Sequence, residues 1–217
     1  SGRSITLTKP LRVRCHGDNA YSVDGTPVDS VIMGLYNMKD NLPDLVVSGI
    51  NKGGNLGTDL PYSGTFEAAA EAVSHGFSAI AVSLFADRPG SFTKKNFNTA
   101  AVLFAEEILP FIEKSMDKIR KKSEPWLFNV NIPVSALDNP EKVISWTFPG
   151  ERNYGGDIIE RRDPRGGVYY WIGGNQRNLD NFSGSDCRAV IEGHISVTPV
   201  KYSFADMELL DALRNLE

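Results

Sequence analysis

At 217 residues the chain can bury one sizeable core with a modest appendage, and 41% hydrophobic against 23% charged residues is ordinary globular composition. A formal net charge of −4 excludes a general nucleic-acid surface, which needs a basic stripe to meet phosphate backbones. No apolar run approaches the ~20 residues that span a bilayer. Ser1 to Arg14 holds no long apolar segment of the kind a secretory leader needs, and Cys15 and Cys187 are scattered thiols that read as free. A reducing, cytoplasmic compartment is the expectation.

Ser1 to Thr8 reads as a turn followed by a short strand. Leu11 to Cys15 and Ala20 to Val23 form a hairpin pattern around Gly17-Asp18-Asn19. Thr26-Pro27-Val28-Asp29 is a helix start, with a capping hydroxyl, a proline at the first position and an acid near the positive end. Val28, Val31, Ile32, Leu35 and Tyr36 then repeat with helical spacing, and Asp44 to Ser48 follows as a buried strand. Phe66, Ala69, Ala70, Val73 and Phe77 form a second stripe, stopped at His75-Gly76. Ser78 to Leu84 is another buried strand. Phe97 to Ile112 is a long helix, expected to bend or break near Pro110. Trp126 to Asn131 is the next strand.

Strands and helices alternating at these lengths predict an α/β fold with a Rossmann-like, mostly parallel sheet and helices on both faces. From Pro133 the chain grows richer in Gly, Arg, Asp and aromatics. The expected organisation is a core over 1–133, an irregular β-rich extension over 134–193, and a returning strand with a last helix over 194–217. Val143 to Phe148, Ile158 to Arg161 and Val168 to Ile172 are the extension's strands. Ile195 to Val200 returns to the sheet, and Ser203 caps a helix with Met207, Leu210 and Leu213 inward.

The stretch Val46 to Gly57 carries the chemistry. An apolar run ends in four glycines interleaved with Asn51 and Asn55, and Tyr62-Ser63-Gly64-Thr65 then opens a helix. Such a loop is either an anion cradle beyond the carboxyl end of a strand or a plain connection with glycines for tight turns. Glycines let amides approach a ligand, and the Asn51 carboxamide oxygen suits a hard cation. Ser63, Gly64 and Thr65 put hydroxyls and free amides at a helix start. No Gly-Lys-Ser/Thr follows, so this is not a Walker loop, and Ser63 lacks the glycine that precedes a nucleophile elbow. Asp59, the loop's carboxylate, is either a ligand or its orienter from behind, or a solvated cap. His16, His75 and His194 share no metal-like spacing, and His75 is most simply a partner of its helix's C-terminal dipole. Arg152, Arg161, Arg162 and Arg165 read either as a solvated or subunit-contacting face or as a group that meets a polyanionic ligand.

Ser48-Gly49-Ile50-Asn51, Gly54-Asn55-Leu56-Gly57 and Tyr62-Ser63-Gly64-Thr65 together resemble the stationary-phase survival protein (SurE) family of nucleotidases. Ser4-Ile5-Thr6-Leu7, Gly25-Thr26-Pro27, Asn129-Val130-Asn131-Ile132-Pro133, Asp163-Pro164-Arg165-Gly166, Gly184-Ser185-Asp186 and Ile195-Ser196-Val197-Thr198-Pro199 agree in order. The resemblance implies a phosphatase dependent on a divalent metal, Mg²⁺ or Mn²⁺. It would act on nucleoside 5′- and 3′-monophosphates and, in some members, on polyphosphate. It also implies a homodimer or tetramer, with Tyr169, Tyr170 and Trp171 at a subunit contact. Asn51 matches a metal ligand; Ser63, Gly64 and Thr65, with Gly54 and Asn55, match the phosphate site. The family's adjacent aspartates have no counterpart, because no two aspartates are neighbours in this chain. The expectation is that this acidic half of the site lies ahead of Ser1, with Ser1 itself near the position of a serine ligand. The alternative is a truncated, inactive module that binds nucleotide or phosphate without turnover.

Overall fold

Two short strands, β1 (Val13–Cys15) and β2 (Tyr21–Val23), pair antiparallel as the expected hairpin. Asp18 and Asn19 take positive φ in its turn, the backbone region these two residue types tolerate best. The computed structural model describes residues 4–86, 88–119, 124–152, 158–172, 182–202 and 206–214, so Ser1 and Ser203 fall outside the described residues. Helix α1 (Pro27–Asn37) starts with a reciprocal capping box. The Asp29 amide donates to Thr26 Oγ1 over 3.1 Å, and the Thr26 amide donates to the Asp29 carboxylate over 2.7 Å.

Strand β3 (Val46–Lys52) leads through the glycine-rich loop and a 3₁₀ segment, Gly57–Tyr62, into α2 (Gly64–Ser74). Strand β4 (Ala79–Phe85) is followed by α3 (Lys94–Leu103) and α4 (Leu109–Ile119). The break expected near Pro110 is a π-helical turn over Phe104–Ile108. Proline has no N–H to give and its ring crowds the preceding turn, so a wider turn just ahead of it relieves both. Strands β5 (Leu127–Pro133), β6 (Ile144–Trp146), β7 (Ile158–Arg162) and β8 (Val168–Ile172) follow, then α5 (Asp186–Ile191), β9 (Ile195–Val200) and α6 (Met207–Arg214).

The central sheet runs β3-β4-β5-β9-β6. Strands β3, β4 and β5 are mutually parallel; β9 is antiparallel to β5, and β6 is parallel to β9. The fold is thus α/β, with a mostly parallel sheet between helices. On one face Ile80, Val82, Leu84, Phe128, Val130 and Ile132 pack with Phe104, Ile108 and Ile112. On the other, Ala79, Ala81 and Leu127 pack with Phe66, Ala69, Ala70 and Ala72 of α2. The segment 134–193 is not wholly outside this sheet, because β6 forms its far edge.

Strands β7 and β8 make a separate antiparallel hairpin on which Tyr170 and Trp171 are 60% and 61% exposed. Helix α6 differs from its expected packing. Met207 and Leu213 are half exposed rather than inward. Beside the near edge, β3 and α1 enclose an apolar groove of about 710 Å³ lined by Val31, Leu35, Leu45 and Val47.

Candidate functional site

Alternation along β4, β5 and β9 sets one level of the sheet against the next. At the first level of the α2 face stand Ala79, Leu127 and Val200; at the second, Ala81, Asn129 and Thr198; at the third, Ser83, Asn131 and Ser196. Asn51 on β3 registers with Ser83, and Ser145 on β6 registers with Ser196, so the third level is polar across the whole sheet. This polarity rises toward the carboxyl ends of the parallel strands, where open α/β sheets take their ligands.

The glycine loop descends onto that polar end. Gly49 holds φ +139°, and a Cβ there would collide with the Val82 carbonyl, so the strand passes β4 too closely for any side chain. Beyond it the Asn51 amide group donates to the Gly53 carbonyl over 2.8 Å, which fixes the plane of the carboxamide. Asn55 is buried and held on three sides. Its backbone N–H donates to Asn131 Oδ1 over 2.8 Å, its carbonyl accepts from Asn129 Nδ2 and Asn131 Nδ2, each over 2.9 Å, and its own Nδ2 donates to Ser83 Oγ over 2.8 Å. Leu56 packs beneath against Cys187 and Val190 of α5.

At the loop's far end Gly57 has φ +53°, and a Cβ there would strike the Gly150 carbonyl. Its N–H donates to Asp186 Oδ2 over 2.9 Å, while Asp186 Oδ1 accepts from the amides of Gly150 and Cys187, each over 2.8 Å. Asp186 is completely buried. Burial pushes its carboxyl up, against the three amides that favour its charge.

Ser63 is the cap of α2: its Oγ accepts from the Phe66 amide over 3.0 Å. That cap leaves the amides of Gly64 and Thr65 at the positive end of the helix without an intrahelical acceptor. Such a helix start can hold a small tetrahedral anion. Asp59, the loop's carboxylate, forms an ion pair with Arg152, and Arg152 also exchanges hydrogen bonds with Thr58 through its backbone. Arg161, Arg162 and Arg165 lie apart, exposed on the β7–β8 hairpin or its turn. The histidines lie elsewhere: His16 bonds Ser22 in the first hairpin, His75 caps the end of α2, and His194 precedes β9.

Of the two residues that the resemblance matches to or near metal ligands, Asn51 and Ser1, only Asn51 is among the described residues. Among the described residues no three His, Cys, Asp or Glu side chains converge. One neutral ligand does not hold such an ion, so the described residues alone do not fit the metal.

Asn51 lies at the end of β3, Gly54 and Asn55 follow in the loop, and Ser63, Gly64 and Thr65 open α2 after the 3₁₀ segment. The residues missed by sequence reasoning are Ser83, Asn129, Asn131 and Asp186. Their signal was present in part: two asparagines two apart, inside an otherwise apolar strand, share one face of the sheet.

The family model described as Survival protein SurE matches residues 1–156. A protein of Geobacter sulfurreducens named 5′-nucleotidase SurE is 40% identical over 215 residues, covering 99% of this chain and 78% of that protein. A protein of the same name from Rhodospirillum rubrum is 39% identical over 218 residues, covering 98% and 79%. Among solved structures, the SurE protein from Aquifex aeolicus superposes with a TM-score of 0.73 at 32% identity, covering 99% of this chain and 83% of that one.

Proposed function

The chain belongs to the SurE family, and from that premise we propose that it is a 5′-nucleotidase, a phosphoric monoester hydrolase acting on nucleoside 5′-monophosphates. The observation that carries the reading is the pair of amides, Gly64 and Thr65, left open by the Ser63 cap at the polar end of the sheet. They and the Thr65 hydroxyl would hold the phosphate oxygens, with Gly54 and Asn55 as the adjoining wall. The reaction forms a bond from a water oxygen to phosphorus and breaks the bond from phosphorus to the 5′-oxygen, which leaves with a proton as the nucleoside hydroxyl. Charge spreads over the phosphoryl oxygens in the transition state, and fixed amides and a helix N-terminus stabilise it without having to reorient.

Dependence on Mg²⁺ or Mn²⁺ belongs to the same proposal, with Asn51 as one ligand. Because that ligand does not suffice alone, no step is assigned to the ion. Activity on 3′-monophosphates and on polyphosphate is the wider substrate range proposed. The exposed aromatics Tyr169, Tyr170 and Trp171 support a homo-oligomer, dimer or tetramer, assembled through the β7–β8 hairpin. The buried Cys187 thiol, which is in no disulfide, accords with a cytoplasmic setting.

The test is phosphate release from AMP and GMP with Mg²⁺ or Mn²⁺ present. Turnover that inorganic phosphate inhibits is expected. Binding of AMP without turnover would instead make the chain a nucleotide-binding module. An Asn51→Ala protein that keeps its metal affinity and its rate would remove Asn51 from the ligand set.

A further inference from the structure

Several backbone polar groups of the glycine loop are taken by neighbours outside it. Gly53 donates to the Leu84 carbonyl over 3.0 Å, Asn55 is bonded at both its N–H and its carbonyl, and Gly57 donates to Asp186. Asn131 stands out among these partners. Its Oδ1 accepts from the Asn55 N–H while its Nδ2 donates to the Asn55 carbonyl, so one side chain pairs with both backbone groups of one residue. Asparagine is the side chain of that length with an acceptor and a donor side by side. Aspartate lacks the donor and would set an oxygen against the Asn55 carbonyl. Leucine would fill the volume and leave a buried N–H unpaired.

The support beneath Asn131 is rigid. The residue is fully buried on β5, which is paired to β4 on one side and β9 on the other. The loop also lies close: a Cβ on Gly54 would stand 3.3 Å from Asn131 Oδ1 and 3.0 Å from the Phe85 ring. The asparagine stands where the Asn55 backbone comes down.

We propose that Asn131 is a positioning residue: by clamping the backbone of Asn55 it sets where the loop delivers the phosphate-holding start of α2 relative to Asn51. Asn129, which bonds only the carbonyl, seconds it. The inference rests on the reading of the loop and the α2 start as the phosphate site.

The experiment measures kcat and KM for AMP in the unaltered protein, in Asn131→Asp and in Asn131→Leu, beside amide hydrogen exchange at Asn55. Loss of one to two buried hydrogen bonds should raise KM by about tenfold in Asn131→Asp and more in Asn131→Leu, with kcat held within about threefold. A merely structural defect lowers the fraction of active protein, so it lowers kcat and leaves KM alone. KM within about twofold of the unaltered protein in Asn131→Asp, which is nearly isosteric and so carries the test if Asn131→Leu does not fold, overturns the proposal.

In the unaltered protein the Asn55 amide should exchange at least about a hundredfold more slowly than an open loop amide; exchange at the open rate also overturns it. If the unaltered protein binds phosphate but does not hydrolyse AMP, the nucleotidase reading fails. The clamp is then judged on the dissociation constant for inorganic phosphate, with the same tenfold expectation.

Discussion

The two faces of the central sheet are built from the same strands by alternation, and they differ in how their chemistry runs. Toward α3 and α4, the residues of β4 and β5 are apolar from end to end: Ile80, Val82 and Leu84, then Phe128, Val130 and Ile132. Toward α2 the character changes along the strands, from Ala79 and Leu127 through Ala81 and Asn129 to Ser83 and Asn131. The first face holds the sheet to its helices through buried area. The second does so only at its lower end; at its upper end it holds a loop through side-chain amides. Stability and ligand geometry are therefore divided between odd and even positions of one strand, and neighbouring substitutions should have different consequences.

The largest expected effect is on the apolar face. Ile132→Ala removes a fully buried side chain from the main cluster and should cost about 3 kcal/mol in urea unfolding, with the KM for AMP unchanged in the folded protein. A shifted KM there would break the division, because Ile132 adjoins Asn131 in sequence yet faces the other helices. Asp186 is where the division should close. Its two oxygens accept three amides, one from the loop, one from Gly150 and one from its own helix. A carboxamide in its place would turn an N–H₂ toward one of them, so Asp186→Asn should lose about 2 kcal/mol in the same unfolding experiment and also raise KM. Loss of stability with KM unmoved would confine Asp186 to the fold.

Much of this was legible in the sequence, and the residues show why the rest was not. The capping box of α1 lies within four residues, so Thr26 and Asp29 declare it locally. The buried runs of β4 and β5 show equally plainly, because both their faces are covered. The glycine loop and the start at Ser63 were visible as a strand-to-helix transition. What escaped depends on pairing across distance. Helix α5 has six residues, too few for a period to show. The place of β9 between β5 and β6 follows from register, which no local pattern carries. Asp59 and Arg152 meet across 93 positions, so neither residue alone announces their ion pair. Asn129 and Asn131 read as strand residues in a motif, and the carbonyl and amide they serve belong to Asn55, far away in the chain.

Asp29 gives the control for the whole comparison, since it lies on neither face of the sheet. Burial opposes its charge, yet the hydroxyl and amide of Thr6 and the amide of Thr26 outweigh this and hold its carboxyl at about 2. An unfolded aspartate titrates near 3.8. As pH falls the unfolded chain therefore takes the proton first, and folding becomes progressively less favoured until the native carboxyl is protonated too. The contribution is fully present above about pH 4 and is lost between about pH 4 and pH 2. Asp29→Asn removes this titration, so the stability difference between the two proteins should shrink through that interval and be level above it. Thermal melts at closely spaced pH values read the difference directly. KM for AMP at neutral pH should stay as it was. A change in KM would mean that the start of α1 reaches the phosphate site, and the separation of fold from site along the strands would then have to include the helix beside β3.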